Sequence, residues 1–412
     1  HVRSRRQRQM CIRDRVMLAV LVAVAGQSHA EFTPEFATTE VLPDPAGQQW
    51  FWLYGFRAPN MGDSRAFLMD ENGQQLGQLN MGFWAKTVIN APARNEIITL
   101  ETYFSRGTRG ERTDVVVTYD ERTLSPVSEV IIPPKRLNAV KTRHLAVLSE
   151  DEKFLLVVNY TPAQSVTIVD LDAGTFVEEV ETPGCSVLYA AGPRDYYAIC
   201  ANGSFLQLKL DETGHLVKRR RTEPLFDAVR DFLTISGSRI GDTWYFVSRD
   251  YNIYGITMAG DDISLQGKWP LLSDDERDDS WMIAGLEHTT AHEASDRLYV
   301  LMQQGEADVF EGPGSAVWVF DTNTMEKQQE IAMQELTMSI AVSQDDKPRL
   351  YALDFHIPLD TLATVWMAVT EGEDSITQLI QQRANVYDAV SGEHLLSSDK
   401  LPSGAVFGVK SW

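Results

Sequence analysis

The sequence has few cysteines and few basic residues for its length. Only 3 of its 412 residues are Cys, and 37 Lys and Arg stand against 58 Asp and Glu, which gives a net charge of −21. This charge argues against nucleic acid or an anionic membrane surface as the main partner, because both are bound through clustered Lys and Arg side chains. No uninterrupted apolar run reaches the length of about 18 residues that indicates a membrane-spanning helix. An integral membrane protein is therefore not expected.

Several short enzyme motifs are also missing. The sequence contains no Gly-x-Ser-x-Gly, Walker, dinucleotide-binding or Cys-x-x-Cys-His pattern. Hydrolase, nucleoside triphosphatase, nicotinamide and c-type haem chemistry therefore have no support from motifs. The composition, with 43% hydrophobic and 23% charged residues, is that of an ordinary folded protein.

The first thirty residues have the pattern of a secretory signal peptide. Two Arg residues precede a short apolar run at 16–25, and a small-x-small pattern that a signal peptidase reads follows at 28–30. A membrane anchor, the alternative, needs about twice that apolar length. We expect 1–30 to be removed on export, its first nine residues being an artefactual start and Met10 or Met17 the initiator.

Export would leave a more acidic chain with two cysteines. Without the first thirty residues the chain has 31 basic and 57 acidic residues, a net charge of −26, and keeps only Cys185 and Cys200. Two cysteines in an exported chain predict one disulfide, which closes a loop of 15 residues and contributes about 3 kcal/mol. The alternative is a pair of buried thiols.

Short runs rich in Val, Tyr, Trp and Phe dominate the chain from Trp50 onward, and they are bounded by Gly, Pro, Asn and Asp. This pattern predicts β-strands. Only Pro224–Ile235 and Asp374–Arg383 resemble amphipathic helices. The runs most typical of strands lie at 50–54, 115–119, 154–158, 244–247, 298–301 and 317–320.

A weak internal repeat marks the ends of these strands. A strand runs into an Asp, a polar turn follows, and a second strand begins; Asp and Asn hydrogen-bond their own backbone at such corners, and Gly supplies positive φ. A degenerate copy lies at 256–262. The repeated aspartates are Asp70, Asp120, Asp170, Asp211, Asp321 and Asp388.

Units of this kind predict an all-β, seven-bladed β-propeller, which protects its sheet edges by radial repetition. We place the propeller at 50–412, with an N-terminal extension at 31–49. An array of β-sandwiches is the alternative, but it does not account for the spacing of close to 50 residues between the first three aspartates.

One family resemblance rests on a set of longer motifs. The most distinctive is Phe104–Asp114, with Arg-Gly-Glu-Arg-Thr-Asp at its end. The chain resembles the heavy subunit of bacterial quinoprotein amine dehydrogenases, the methylamine and aromatic amine dehydrogenases. The other matching segments are Thr123–Pro126, Glu129–Pro134, Cys185 with Cys200–Ser204, Asp296–Leu301 and Ser343–Ala352.

The resemblance implies a periplasmic seven-bladed propeller with one internal disulfide and no cofactor or metal of its own. It implies a small, cysteine-rich light subunit that carries tryptophan tryptophylquinone, in a heterotetramer of two heavy and two light chains. Such an enzyme oxidises a primary amine to aldehyde and ammonia and passes electrons to a blue-copper protein or a cytochrome. This chain would be the scaffold and part of the channel wall, and it would contribute no catalytic residue.

The resemblance also suggests site residues. In the loop Tyr54–Gly62, Pro59 stands where relatives have a channel-lining aromatic residue, and Phe56 and Met61 are neighbours that could replace it. These three residues are therefore the predicted lining of the substrate channel. The chain also departs from the family pattern at 306–314 and carries extra residues at 354–385.

The Arg-rich motif predicts an ion network at the rim of a blade. We interpret it as a salt-bridge network that joins adjacent blades, the alternative being contact with the light subunit. Its predicted members are Arg106, Arg109, Glu111, Arg112 and Asp114.

Other clusters have simpler interpretations. His288 and His292 have the spacing of two metal ligands on a helix, but no third ligand is evident and a loop or strand is expected there. The acidic run at 274–279 is interpreted as a solvated loop, and the basic run at 218–221 as a strand edge that blocks aggregation. The nine Trp residues are expected to pack between blades.

Two functions remain open from the sequence. The first is the heavy subunit of a periplasmic amine dehydrogenase. The second, motivated by the departures from the family pattern, is a stand-alone periplasmic propeller that binds a ligand or partner without redox chemistry. The two differ in whether one face of the propeller is free to receive a light subunit.

Overall fold

Antiparallel strands make up nearly all of the regular structure. The computed structural model describes residues 40–56, 62–140, 142–305, 312–356, 381–398, 401 and 405–412, and Val41–Trp412 forms one compact unit. Within these residues no helix has the length and apolar character needed to cross a membrane.

Five sheets have four strands each, and the C-terminal strand closes the first of them. The first sheet contains β1 (Phe51–Phe56), β2 (Ser64–Met69), β3 (Gln75–Asn80) and β28 (Ala405–Ser411). The second contains β4 (Val88–Ala91), β5 (Glu96–Phe104), β6 (Arg112–Asp120) and β7 (Pro126–Ile132). The third contains β8 (Ala146–Leu148), β9 (Phe154–Asn159), β10 (Ser165–Asp170) and β11 (Thr175–Glu181).

The remaining strands form two more four-stranded sheets and one sheet of eight strands. The fourth sheet contains β12 (Cys185–Ala190), β13 (Asp195–Cys200), β14 (Phe205–Leu210) and β15 (Leu216–Arg221). The fifth contains β16 (Ser238–Ile240), β17 (Thr243–Val247), β18 (Asn252–Ala259) and β19 (Asp262–Pro270). The eight-stranded sheet contains β20 (Trp281–Ile283), β21 (Thr289–His292), β22 (Arg297–Gln304), β23 (Gly314–Asp321), β24 (Lys327–Val342), β25 (Arg349–His356), β26 (Gln381–Asp388) and β27 (His394–Ser397).

The chain is thus an all-β propeller, but the prediction of seven separate four-stranded blades is wrong. Five such blades are present, and the last strands merge into one sheet. The cause is β24, which runs for 16 residues without a break. Its first half pairs with β23 and its second half with β25, so one strand serves both sides of the sheet.

Burial falls from the middle of each blade to its outer edge. All six residues of β9 are buried, whereas the outer strand β15 exposes Arg219–Arg221. The apolar faces of neighbouring sheets pack against each other in continuous clusters, such as the one that joins Phe154, Tyr189 and Phe246. Interleaved Val, Leu and aromatic side chains therefore hold blade to blade, as expected for sheets packed face to face.

The Asp corners are confirmed as turns between strands. Asp70 Oδ1 accepts hydrogen bonds from the backbone N–H groups of Asn72 and Gln74, at 2.9 and 2.7 Å. Asp211 Oδ1 does the same for Thr213 and His215, at 2.8 and 3.0 Å. Each repeated Asp stands where the third strand of a unit turns into the next strand, so the sequence repeat follows the blade architecture.

The antiparallel order gives the propeller two distinct ends. At the Asp-corner end lie the turns from first to second strand and from third to fourth strand of each blade. At the other end, which we call the crossover end, lie the turns from second to third strand and the connections from one blade to the next. The β1–β2, β22–β23 and β25–β26 connections therefore all lie at the crossover end.

The helix prediction for 224–235 is wrong, and that for 374–383 is contradicted at its last three residues. Pro224–Ile235 contains turns, because Asp227 Oδ1 accepts from the N–H groups of Val229 and Arg230 and so competes with a helix. Residues 381–383 belong to β26, and 374–380 lie outside the described residues. The acidic run instead begins a five-residue helix α1 (Asp274–Asp278), capped by Ser273 and Glu276.

The predicted disulfide is confirmed. Cys185 and Cys200 are directly paired across β12 and β13, and their sulfurs are bonded. The bond joins the first and second strands of one blade at the crossover end.

Candidate functional site: the central channel and the crossover end

The innermost strands of the blades surround a central channel with two adjoining cavities. The larger, about 300 Å³, is lined by residues of β16, β21, β24 and β28. The smaller, about 200 Å³, is lined by residues of β4, β8 and β28. Arg143, His144, Trp244 and Lys410 line both cavities. These four residues therefore mark the point where the two cavities meet.

Arg143 is the central polar residue of this channel. Its backbone N–H donates to Glu287 Oε1 at 2.6 Å, and its Nε lies 3.6 Å from Glu287 Oε2. Its Nη2 donates to the carbonyl oxygen of Thr289 at 2.6 Å and to Ser238 Oγ at 3.3 Å. The guanidinium thus links the short 3₁₀ turn before β8 to the innermost strands β16 and β21.

Burial shifts the titration of the groups around Arg143. Glu287 is only 3% exposed, and burial raises the pKa of its carboxyl despite the nearby guanidinium. Burial and the charge of Arg143 lower the pKa of His144 to about 3 and that of His288 to about 4. Both imidazoles are therefore neutral near pH 7, and neither can balance a negative charge.

Two lysines add positive charge to the smaller cavity. Lys410 Nζ donates to the carbonyl oxygen of Val88 at 3.2 Å, and burial together with the charge of Arg143 lowers its pKa to about 8. Lys86 is 4% exposed, and its Nζ donates to the carbonyl oxygen of Asn138 at 2.8 Å. Both ammonium groups are thus held by backbone carbonyl oxygens.

Of the predicted channel-lining residues, the structure places Phe56 at the crossover end. Phe56 is the last residue of β1, whereas Pro59 and Met61 lie outside the described residues. The departure at 306–314 follows β22, and the extra residues of 357–380 connect β25 to β26. Of the predicted insertion, residues 354–356 and 381–385 are paired strand residues, and the rest lies outside the described residues.

The Arg-rich motif divides into two parts. Arg112 and Asp114 are in contact, with Nε and Nη2 donating to the two carboxylate oxygens at 2.9 and 2.8 Å. Arg106, Arg109 and Glu111 are exposed in the turn between β5 and β6 and are not brought into this pair. These three residues lie in an exposed turn, whereas Arg112 and Asp114 lie within β6, so sequence proximity does not become contact.

Two residues outside the motif complete the buried network. Thr102 Oγ1 donates to Asp114 Oδ1 at 2.6 Å, and the backbone N–H of Arg136 donates to Oδ2 at 3.1 Å. Arg136 Nε donates to Thr102 Oγ1 at 2.7 Å, and Arg112 Nη2 donates to the Arg136 carbonyl oxygen at 2.9 Å. Because Asp114 is fully buried, the network ties the crossover after β7 to the end of β5.

Six of the thirteen exposed large apolar side chains among the described residues lie at the crossover end. They lie near the crossover ends of strands, or in the connections between blades. Each is at least 39% exposed, so this end of the propeller presents an apolar surface from several blades. We call this set the apolar ring: Tyr103, Ile131, Tyr160, Val229, Phe232 and Leu336.

The remaining sequence clusters are accommodated by the fold. His288 Nε2 contacts Thr234 Oγ1 at 2.8 Å and His292 Nδ1 contacts Ser295 Oγ at 2.7 Å. Among the described residues, no group of three or more potential metal ligands is found. Lys218–Arg221 lie on the outer strand β15, which confirms the strand-edge interpretation.

A further cavity, about 850 Å³, lies at the Asp-corner end. Its charged lining residues are more often acidic than basic: Asp44, Glu71, Glu121, Asp345, Asp346, Lys347 and Arg349. This cavity and the end of β1, after which the predicted channel-lining loop begins, are at opposite ends of the propeller.

Sequence inspection missed Arg143, Glu287 and Lys410. They come together from positions 143, 287 and 410, and no short motif connects them. The available signal was weak: Lys410 is a single cation that follows the apolar run Ala405–Val409, and Glu287 stands beside His288. Ring closure by β28 brings Lys410 to the Arg143–Glu287 contact.

Comparison with known proteins identifies the family. The family description "Methylamine dehydrogenase heavy chain (MADH)" matches residues 61–404. The methylamine dehydrogenase heavy chain of Methylophilus methylotrophus is 29% identical over 405 residues, covering 94% of this chain and 92% of that protein. That of Paracoccus versutus is 28% identical over 348 residues, covering 83% of this chain and 74% of that protein.

Solved structures agree on the fold at much lower identity. A functionally unknown protein from Desulfotomaculum acetoxidans superposes with a TM-score of 0.51 at 11% identity, covering 87% of this chain and 98% of that one. The family match confirms the resemblance seen in the Arg-rich and strand-end motifs. Since it spans most of the sequence, and the two relatives bear the same name, the chain belongs to the methylamine dehydrogenase heavy chain family.

Proposed function

We propose that this chain is the heavy, quinone-free subunit of a periplasmic amine dehydrogenase that oxidises a primary amine to aldehyde and ammonia. The observation that carries this proposal is the family match over 61–404, together with a relative aligned over nearly its whole length. The heavy chain acts as scaffold for a light subunit and contributes part of the substrate channel through Phe56, Pro59 and Met61.

The tryptophans of this chain do not fit a quinone built within it. Trp281 and Trp318 have ring centroids 5.0 Å apart, and Trp50 and Trp412 have centroids 5.4 Å apart. Trp318 has no exposed surface and Trp50 is 3% exposed, so one ring of each pair is closed to a substrate amine. The proposed tryptophan tryptophylquinone therefore belongs to the light subunit.

The crossover end is the proposed docking surface for that light subunit. It carries the apolar ring, and the loop that follows β1 lies at the same end. Exposed aromatic and aliphatic side chains of this size are enriched in the centres of protein interfaces. A small subunit seated here would be placed beside the predicted channel-lining loop. We propose a heterotetramer of two heavy and two light chains, with a blue-copper protein or a cytochrome as electron acceptor.

A stand-alone binding propeller is the second candidate function. The observation that favours it is the position of the extra segment, which leaves β25 after His356 and returns at Gln381, at the crossover end. If this segment covers the apolar ring, a light subunit cannot dock there.

Isolation of the chain from its native periplasm tests the proposal. We expect a small cysteine-rich chain to co-purify and to show a visible quinone absorption band that a primary amine bleaches. The heavy chain produced alone is the control and should be colourless. A native preparation that is colourless and without a partner would contradict the heavy-subunit function and favour the stand-alone propeller.

A further inference from the structure

We propose that the central channel contains a binding site for a small oxyanion, a carboxylate or a phosphate, held by Lys86, Arg143 and Lys410. This site is separate from the amine-oxidising function and does not depend on it. The three cations all line the same cavity of about 200 Å³.

The chemistry of the cavity wall favours an anion. Lys86, Arg143 and Lys410 are its charged lining residues, and no carboxylate is among the described residues that line it. His144, the remaining titratable nitrogen group of the wall, is kept neutral by burial and by Arg143. An oxyanion placed among these residues would be met by charge-assisted hydrogen bonds from ammonium and guanidinium groups.

Glu287 lies outside the wall of this cavity. It contacts Arg143 from the side of β21, with its Oε2 3.6 Å from the guanidinium Nε. Within the cavity, burial and the charge of Arg143 both lower the pKa of Lys410, so the two cations repel each other in a partly buried space. An anion bound beside both would relieve that repulsion.

The size and apolar character of the cavity limit the ligand. A space of about 200 Å³ is too small for a nucleotide but large enough for a phosphate or a short dicarboxylate. Ala146 and Leu148 belong to the wall beside the cations, so a short aliphatic chain can be buried while its carboxylate meets the charges. Succinate and inorganic phosphate are therefore suitable probes.

Calorimetric titration of the full chain, in the complex in which it is purified, tests the site. We expect succinate or phosphate to bind saturably with one site per heavy chain, and the tighter probe identifies the ligand class. Lys410→Met should weaken binding by about tenfold or more, because it removes one charge-assisted donor. Lys410→Arg should retain binding.

Lys135→Met is the matched control for net charge. Lys135 pairs with Glu179 at 2.9 Å, away from the channel, and its removal should leave the affinity unchanged. Absence of saturable binding to the native protein would overturn the proposal, as would equal binding by Lys410→Met. The three cations would then serve only to balance the acidic exterior.

A second measurement needs no variant. Acetic anhydride at pH 8 should acetylate Lys410, and succinate or phosphate should slow this reaction while leaving Lys135 unaffected, as followed by mass spectrometry. Equal protection of the two lysines, or protection of neither, would contradict a site at Lys410.

Discussion

At the scale of single residues, Asp114 is a fully buried carboxylate that accepts four hydrogen bonds at the crossover end. Its two oxygens accept from Thr102, from the Arg112 guanidinium and from the backbone of Arg136, and it has no exposed surface. The side chain of Arg136 is only 1% exposed. Removal of the carboxylate would therefore leave buried donors without their acceptor.

We predict that Asp114→Ala lowers the free energy of unfolding by about 3–5 kcal/mol, because breaking a buried ion pair leaves an uncompensated buried charge. Urea denaturation followed by fluorescence measures this change. Glu111→Ala, in the exposed turn of the same motif, should change stability by no more than about 0.5 kcal/mol. Equal changes in the free energy of unfolding for the two variants would show that the buried network does not stabilise the protein.

Lys410 gives the protein a specific dependence on pH. Its pKa in the folded protein is about 8, below the value near 10.4 of an unfolded chain. The unfolded chain therefore binds more protons between these values, and stability rises as pH increases through this range. The charged groups around Lys410 in this part of the channel are Arg143, Lys86 and Glu287.

Comparison of the native protein with Lys410→Met isolates this contribution. We expect the native protein to gain stability relative to the variant as pH rises from about 8 to about 10, and the difference to be constant below about 7. Urea denaturation at several pH values measures it. A difference that is independent of pH would mean that Lys410 titrates normally.

At the scale of elements, the disulfide connects two strands of one blade. Cys185 in β12 and Cys200 in β13 are 15 residues apart. Replacement of both by Ser should lower the free energy of unfolding by about 2–4 kcal/mol, because the unfolded chain gains conformational freedom. Guanidinium denaturation measures the loss. A reducing agent should destabilise the native protein and leave the double variant unchanged; a native protein insensitive to reduction would contradict this role.

The element that most changes the architecture is β24. Its continuity merges two groups of strands into one sheet, and the hydroxyl of Tyr387 accepts from the Gln334 N–H at 2.9 Å near the middle of this strand. A long strand of alternating polar and apolar residues can cross from an outer edge to an inner position without a loop. The number of separate sheets is therefore smaller than the number of sequence repeats suggests.

At the scale of the whole molecule, the two ends of the propeller differ in character. The Asp-corner end carries acidic turns and an acidic cavity, whereas the crossover end carries the apolar ring. Cations are gathered in the channel between them. A chain with a net charge of −21 thus presents the apolar ring at its crossover end, the end proposed for the light subunit.

Two residues of β7 test the docking surface with a matched pair. Ile131 and Val127 are 67% and 59% exposed on the same strand, near the crossover end and the Asp-corner end respectively. Ile131→Asp should reduce light-subunit recovery by about tenfold, because it places a charge in an apolar interface. Val127→Asp should leave recovery unchanged. Equal recovery for both variants would place the light subunit elsewhere.

Much of the architecture could be predicted from short stretches of the sequence. The Asp corners, the Val-rich strands and the disulfide depend on interactions between residues close in the chain, and all three are confirmed. The predicted helices failed because short polar side chains such as Asp227 hydrogen-bond the local backbone, and because strand pairing outcompetes helical periodicity at 381–383.

The candidate sites were harder to predict from the sequence than the fold. Of the predicted ion network, Arg112 and Asp114 meet, but their partners Thr102 and Arg136 are supplied by other strands. The predicted lining residues Pro59 and Met61 lie outside the described residues, so their role stays a prediction. The channel cations carry no sequence motif at all.

The sequence alone determined the fold class, the family and the turn chemistry, because each depends on residue types repeated along the chain. The tertiary structure decided the number of separate sheets, the position of the apolar ring and the grouping of Lys86, Arg143 and Lys410. These features depend on the path of β24 and on ring closure by β28. The closure brings together residues more than 300 positions apart, as the contact between Lys410 and Val88 shows, and no local pattern encodes such a contact.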